Sequence, residues 1–251
     1  MADRQDFEAV AARLAAIDQE RVRYPDMPID VALKEAGIMA AAAEEDCPKL
    51  TAVGMDAGKV PALSTAVAAL SFAQARYVAA MGEVKAAAGE WAQQEPGALE
   101  LRSEILAAAA FALRNTPEAV KAVRRIRQAG SRADMIGDLE ALAELGSKYE
   151  GQLKAVNFDT KLLGTAAETA TALRKVYAKA FLEKTTTGAR EIRDRAFTHM
   201  RSCMAEVLEV ATYALRKDPE RLVYYHSSYR SRNRRAAQAA AGAHNGEVTA
   251  S

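Results

Sequence analysis

The chain has 251 residues, 50% of them hydrophobic but only 6% aromatic, and a net charge of +1. That length suits one large domain or two of ordinary size, and alanine is the main apolar residue, which favours close-packed helices over a sheet. The near-neutral balance excludes a whole-molecule electrostatic signature, so any nucleic-acid or membrane argument rests on local segregation of charge.

In chain order, Phe7, Val10, Leu14, Ile17 and Val22 follow one helical face until Tyr24-Pro25 and Pro28 stop it. Asp30 opens a second helix, expected to end near Asp46, and CPKLTAVGMDAGKV reads as a connector. A third helix is expected to restart at Pro61 and to bury Leu63, Val67, Leu70, Ala73, Tyr77 and Met81. Gly89 and the QQEPG run at 93–97 predict a hairpin apex between 86 and 97, with the chain returning through Leu101, Ile105, Leu106, Ala109 and Leu113. FALRNTPE at 111–118 then ends one helix and starts a short basic one, Pro117 to Ala129, closed by Gly130. Ser131, with Asp134 three residues on, caps the helix that follows.

The second half repeats this order. Met135, Ile136, Leu139, Leu142 and Leu145 give a helix ending near Gly146; EGQLKAVNFDTK connects it to another through Leu163, Ala166, Ala170, Leu173, Tyr177 and Ala180. Thr185 to Gly188 reads as the apex before a long helix with Ile192, Ala196, Met200, Cys203, Val207, Val210 and Ala214 on its inner face and Phe197, Met204, Leu208, Ala211 and Leu215 beside them. YALRKDPE at 213–220 echoes FALRNTPE, and LKAVNFD at 153–159 echoes LTAVGMD at 50–56. The expected fold is all-α, a tandem duplication of a four-helix up-and-down bundle unit with one extra N-terminal helix, about nine helices in all. Its divisions are a leading helix at 1–27, bundle repeats at 28–130 and 131–235, and a flexible tail at 236–251.

Charge follows the repeat. Residues 26–46 and 131–150 carry net charges of −5 and −3, whereas 114–127 and 216–235 carry +4 and +5. One reading makes Arg124, Arg125, Arg127, Arg230, Arg232, Arg234 and Arg235 a pair of polyanion- or partner-binding helices, with Tyr224, Tyr225 and Tyr229 able to stack on bases. The plainer reading has Leu222, Tyr225 and Tyr229 buried and the arginines answered by the acidic opening helices of the same molecule. Arg114 and Arg216, at the same place in both copies, discriminate between the two.

No other constellation points to chemistry. The residues three before His199, His226 and His244 are Ala196, Val223 and Ala241, so the Glu-x-x-His pattern of a carboxylate-bridged metal bundle is missing and no metal or cofactor is expected. Asp56 and Asp159 suit helix caps better than paired catalytic acids. Cys47 and Cys203 form neither a disulfide framework nor a ligand pattern. A charged amino terminus and a longest apolar stretch of only Ile105 to Leu113 point to a cytoplasmic protein without a membrane span. The functional expectation is a non-enzymatic helical scaffold or self-assembling structural subunit acting through charged surfaces and forming homo-oligomers. The alternative is a nucleic-acid-associated protein using the two arginine-rich helices.

Overall fold

The computed structural model describes the backbone of residues 2–128, 130–182 and 185–248, and the side chains of these apart from 2, 185 and 239–248. The fold is all-α, 85% helical, without a strand among the described residues. The helices are α1 (Ala2–Ala15), α2 (Ile29–Ala52), α3 (Lys59–Ala112), α4 (Pro117–Gln128), α5 (Arg132–Lys148), α6 (Glu150–Lys154), α7 (Lys161–Tyr177), α8 (Thr185–Ala214), α9 (Pro219–Leu222) and α10 (Ser228–Val248). Short 3-10 turns cover Gln19–Arg21 and Val223–Tyr225, and a π-turn covers Ala178–Leu182.

The chain divides into two compact units. Unit 1 comprises residues 1–78 and 187–251, with a core of α1, α2, the first part of α3, and α8 sealed by Tyr225. Unit 2, residues 79–186, packs the later part of α3 with α4, α5, α6 and α7. In unit 2, Leu139, Leu142, Leu153 and Leu173 are fully buried around Ile105 and Leu113.

Several helix boundaries differ from those the local signals predict. α1 stops at Ala15 instead of continuing towards Val22, because the Arg195 guanidinium donates to the carbonyls of Leu14, Ala15 and Ile17 and to Gln19 Oε1, so the open end of the helix is satisfied from α8. α2 runs through Pro48 to Ala52 because complete burial of Leu50 offsets the backbone bond that the proline removes. α3 starts at Lys59, which puts Pro61 at the third helical position, where no intrahelical N–H bond is required.

The expected hairpin at 86–97 is absent, and α3 is one uninterrupted helix of 54 residues. A proline inside a helix costs about 3 kcal/mol, but Trp91 and Ala98 on either side of Pro96 are buried in unit 2 with Ile105 and Leu106. Trp91 gains on the order of 4 kcal/mol of apolar burial, less about 1–3 kcal/mol for an indole N–H without a partner, and the two aliphatic side chains add about 2 kcal/mol each. Met81, placed in the core by its spacing, is 43% exposed, because no residue from Gln74 to Ala86 is buried. Thr185 to Gly188 likewise form the first turn of α8 and not an apex, the hydroxyl side chains of Thr186 and Thr187 suiting a helix start; residues 183 and 184 lie outside the described residues. The helical backbone carries on into the tail as far as Val248, and residues 249–251 lie outside the described residues.

The two connectors have the same local geometry. Met55 N donates to Leu50 O and Gly54 N to Thr51 O; Phe158 N donates to Leu153 O and Asn157 N to Lys154 O. Both are Schellman-type helix ends, with Gly54 (φ +98°) and Asn157 (φ 59°) in the left-handed position and an apolar residue following. Asp56 then accepts from Gly58 N at 2.8 Å and Asp159 from Lys161 N at 3.0 Å, each turning the chain into the next helix.

Candidate polyanion-binding arginines

α4 opens at Pro117, buries Ala119, Val123 and Ile126 in unit 2, and turns Arg124, Arg125 and Arg127 to solvent. Three of the four acids of α5 are occupied elsewhere, Glu144 being the exception. Asp134 and Ser131 form a capping box, Asp138 holds Arg102 of α3 at 2.7 Å, and Glu140 holds Arg174 of α7 at 2.5 Å. Arg102 also donates to Ile126 O at 2.7 Å, closing the carboxyl end of α4. Among the described residues, no carboxylate lies within ion-pair distance of Arg124, Arg125 or Arg127.

In unit 1 the acidic helix does take partners from the basic segment. Arg221 donates to Asp46 at 2.6 Å and to Glu45 at 2.7 Å, and the Tyr225 hydroxyl donates to Asp46 at 3.0 Å. Burial by itself raises the Asp46 pKa, but the bonds from Arg221 and Tyr225 outweigh it and hold the carboxylate below its ordinary range. Glu35 accepts from Tyr229 N at 2.8 Å and from Ser228 Oγ at 3.1 Å, so it caps α10 from a neighbouring helix. Desolvation works against the Glu35 carboxylate, and bonds from Ser227, Ser228 and Tyr229 override it and lower its pKa. Arg230 pairs with Asp26 at 2.6 Å.

Arg232, Arg234 and Arg235 remain exposed, with no ion pair among the described residues. Of the three tyrosines, Tyr225 is 1% exposed and Tyr229 packs against the core, which leaves Tyr224, at 50% exposed, as the accessible ring. Tyr224 carries Arg221 over its face at 5.3 Å.

Arg114 and Arg216 are not bound to the acidic helices. Arg114 donates to Phe111 O at 2.7 Å and lies 4.4 Å over the Phe111 ring. Arg216 donates to Tyr213 O at 2.8 Å and lies 4.5 Å over the Tyr213 ring. Both rings face solvent, at 59% and 60% exposed, so each knuckle displays an aromatic-arginine pair.

His199 is buried on α8, where burial and the neighbouring Arg13 push its pKa down. His226 is exposed, and the side chain of His244 lies outside the described residues. Cys203, also buried, has its thiol pKa pushed up by desolvation. Sequence reasoning gave no role to Arg13, Arg21, Arg23 or Arg201, which line one cleft of unit 1. The Arg21-Val22-Arg23 doublet is the only local signal for them, because their convergence depends on how the segment after α1 folds onto α8.

No helix among the described residues is long and apolar enough to cross a membrane. Comparison with protein-family models, with curated proteins and with solved structures finds no match for this chain.

Proposed function

We propose that this chain is a non-enzymatic helical protein that binds nucleic acid through the exposed arginines of α4 and α10. One observation carries the reading: Arg124, Arg125 and Arg127, and Arg232, Arg234 and Arg235, stand in solvent without carboxylate partners among the described residues, while Asp134, Asp138 and Glu140 of α5 and Glu35, Glu45 and Asp46 of α2 are bound to other groups. Guanidinium groups held on a helix face and left unneutralised suit phosphate contacts, whose affinity comes from counterion release.

The same helices belong to a tandem duplication of a four-helix unit. Support comes from the matched Schellman-type connectors at 50–59 and 153–162 and the matched aromatic-arginine knuckles at 111–116 and 213–218. Buried positions also correspond, with Ala98, Ile105, Ala109 and Leu113 matched by Met200, Val207, Ala211 and Leu215. On that reading each compact unit joins the first helices of one copy to the last helices of the other, and the unbroken α3 stands where a hairpin would have kept copy one to itself.

Fluorescence anisotropy with single- and double-stranded 30-mer probes tests the binding. Three phosphate contacts at either helix predict about a fortyfold loss of affinity between 50 and 200 mM salt; R232A/R234A/R235A removes binding at α10 and R124A/R125A/R127A removes it at α4. No binding at low salt refutes the proposal.

A second reading, self-association into a scaffold, is favoured by the exposed Phe111 and Tyr213 pairs, which offer two equivalent docking points per chain. Sedimentation over a range of concentrations tests it. Assembly that is lost in F111A/Y213A supports the reading, and a monomer at every concentration ends it.

A further inference from the structure

In unit 1, the segment from Arg13 to Arg23 folds back on α8 and leaves a cleft of about 640 Å³. Arg13, Arg21, Arg23 and Arg201 line it, with His199, Ser202 and a single carboxylate, Glu20. We propose that this cleft is a binding site for a phosphomonoester or pyrophosphate group carried on a small molecule. It shares no residue with the exposed arginines of α4 and α10.

The cleft is built. Arg195 fixes the path of the segment by its bonds to Leu14 O, Ile17 O and Gln19 Oε1. Thr198 Oγ1 accepts from Arg23 N at 2.9 Å and donates to Asp194 O at 2.8 Å, pinning the far end of the same segment to α8. Asp194 is itself buried and held by Arg193 at 2.6 Å, so the platform beneath the cleft is rigid. Ala16, Ile17, Val22 and Ala205 supply an apolar wall, and the volume falls in the range of small-ligand pockets, larger than a bare phosphate ion needs.

The positive charge in the cleft outweighs what lies within it, four guanidinium groups against the one carboxylate of Glu20. Among the described residues, Arg13, Arg21, Arg23 and Arg201 have no ion pair. Arg201 is partly buried beside Arg23 and Arg230, and burial followed by repulsion from Arg230 lowers its pKa. The two acids that face Arg201 are spent: Asp26 on Arg230, and Glu35 on the start of α10. A phosphate dianion entering here meets guanidinium forks suited to bidentate bonding and relieves their mutual repulsion.

His199 reports the occupancy. The titratable and charged groups facing it are Arg13 from α1 and, on its own helix, Glu206 and the Cys203 thiol at 3.9 Å, with Lys59 of α3 beside them holding Glu206 at 2.6 Å. The free imidazole is kept neutral by burial and by Arg13. A bound dianion reverses that field, so the His199 pKa rises on binding; because a phosphomonoester takes up its own second proton at about pH 6, binding is read from the ring and not from the pH dependence of affinity.

The test is calorimetric titration of the full chain with inorganic pyrophosphate, with ribose 5-phosphate and with a thymidine octamer, alongside NMR titration of the His199 ring. Pyrophosphate and ribose 5-phosphate are expected to bind and to raise the His199 pKa, and R23A/R201A to weaken them about tenfold or more. Arg13→Gln and Arg21→Gln, at exposed positions, give the same direction of effect without risk to folding, and R232A/R234A/R235A leaves pyrophosphate binding unchanged. Tight binding of the octamer with loss of pyrophosphate binding in the α10 variant overturns the proposal in favour of nucleic-acid backbone. The absence of heat and of a His199 shift with either small phosphate at low salt overturns it outright. The second result leaves nucleic-acid binding through α4 and α10 untouched, since that is read from the octamer and the longer probes, and the first supports it.

Discussion

Replacing Asp46 by Ala tests how unit 1 holds its acidic helix to the segment carrying the basic one. Asp46 is 3% exposed and accepts from Arg221 Nε at 2.6 Å and from the Tyr225 hydroxyl at 3.0 Å, with Lys49 at 3.4 Å. In D46A, Arg221 keeps Glu45 and the Ala42 carbonyl, but the hydroxyl of Tyr225, which is 1% exposed, loses its acceptor. A stranded buried donor costs about 1–3 kcal/mol, and the lost charge-assisted bonds bring the total to about 3 kcal/mol. Y225F alone removes one bond and costs about 1 kcal/mol. Because D46A destabilises chiefly through the stranded hydroxyl, D46A/Y225F is expected to be about 1–2 kcal/mol more stable than the sum of the single effects. Urea unfolding followed by circular dichroism measures all four proteins, with equal slopes required before midpoints are compared. Strict additivity, or a D46A protein within about 0.5 kcal/mol of wild type, refutes the argument. The pKa of Asp46 is lowered on folding, so its contribution is fully present above the unfolded carboxylate pKa of about 4 and is lost as pH falls through the folded value. The gap between wild type and D46A should therefore narrow in acid to what a protonated carboxyl still gives the Tyr225 hydroxyl as an acceptor, and stay constant from about pH 5 to pH 8.

Gly146→Ala forces a Cβ to within 2.3 Å of the Leu163 side chain in the core of unit 2 and is expected to cost about 1–3 kcal/mol in thermal unfolding, whereas Gly137→Ala, on the same helix with nothing within 4 Å, stabilises by up to about 1 kcal/mol. Ser131→Ala removes half of the capping box on α5 and should lower stability by about 1 kcal/mol in chemical denaturation. Pro96→Ala restores a backbone donor inside α3 and should raise the melting temperature; a fall would show that the chain turns at that point.

Local signals read well from the sequence where the deciding contacts are also local. The capping box of Ser131 and Asp134, the start of α4 at Pro117 and the turns held by Asp56 and Asp159 each involve partners within a few residues. Gly89 and Pro96 misled because their cost is local while the compensation, burial of Trp91 and Ala98 against unit 2, is distant in sequence. The candidate arginines divide the same way. Exposure of Arg124 and Arg127 follows from helical spacing around Val123 and Ile126, but the pairing of Arg221 with Asp46 and of Arg230 with Asp26 spans most of the chain, as does the cleft formed by Arg23 and Arg201. No period or motif encodes such pairings.

Between Gln74 and Ala86, α3 buries nothing, although cores are built on it to either side. About three turns of helix there rely on little beyond alanine-rich propensity and peripheral contacts such as Arg193 over Tyr77, and so short a stretch would be only marginally helical as a free peptide. Its amide protons report an equilibrium distinct from either core: they exchange by brief fraying of the middle of a rod whose ends stay fixed, at a rate set by nucleating a coil inside a helix. Hydrogen exchange should therefore find the fastest amides of α3 at its centre, the reverse of an ordinary helix that opens from its tips.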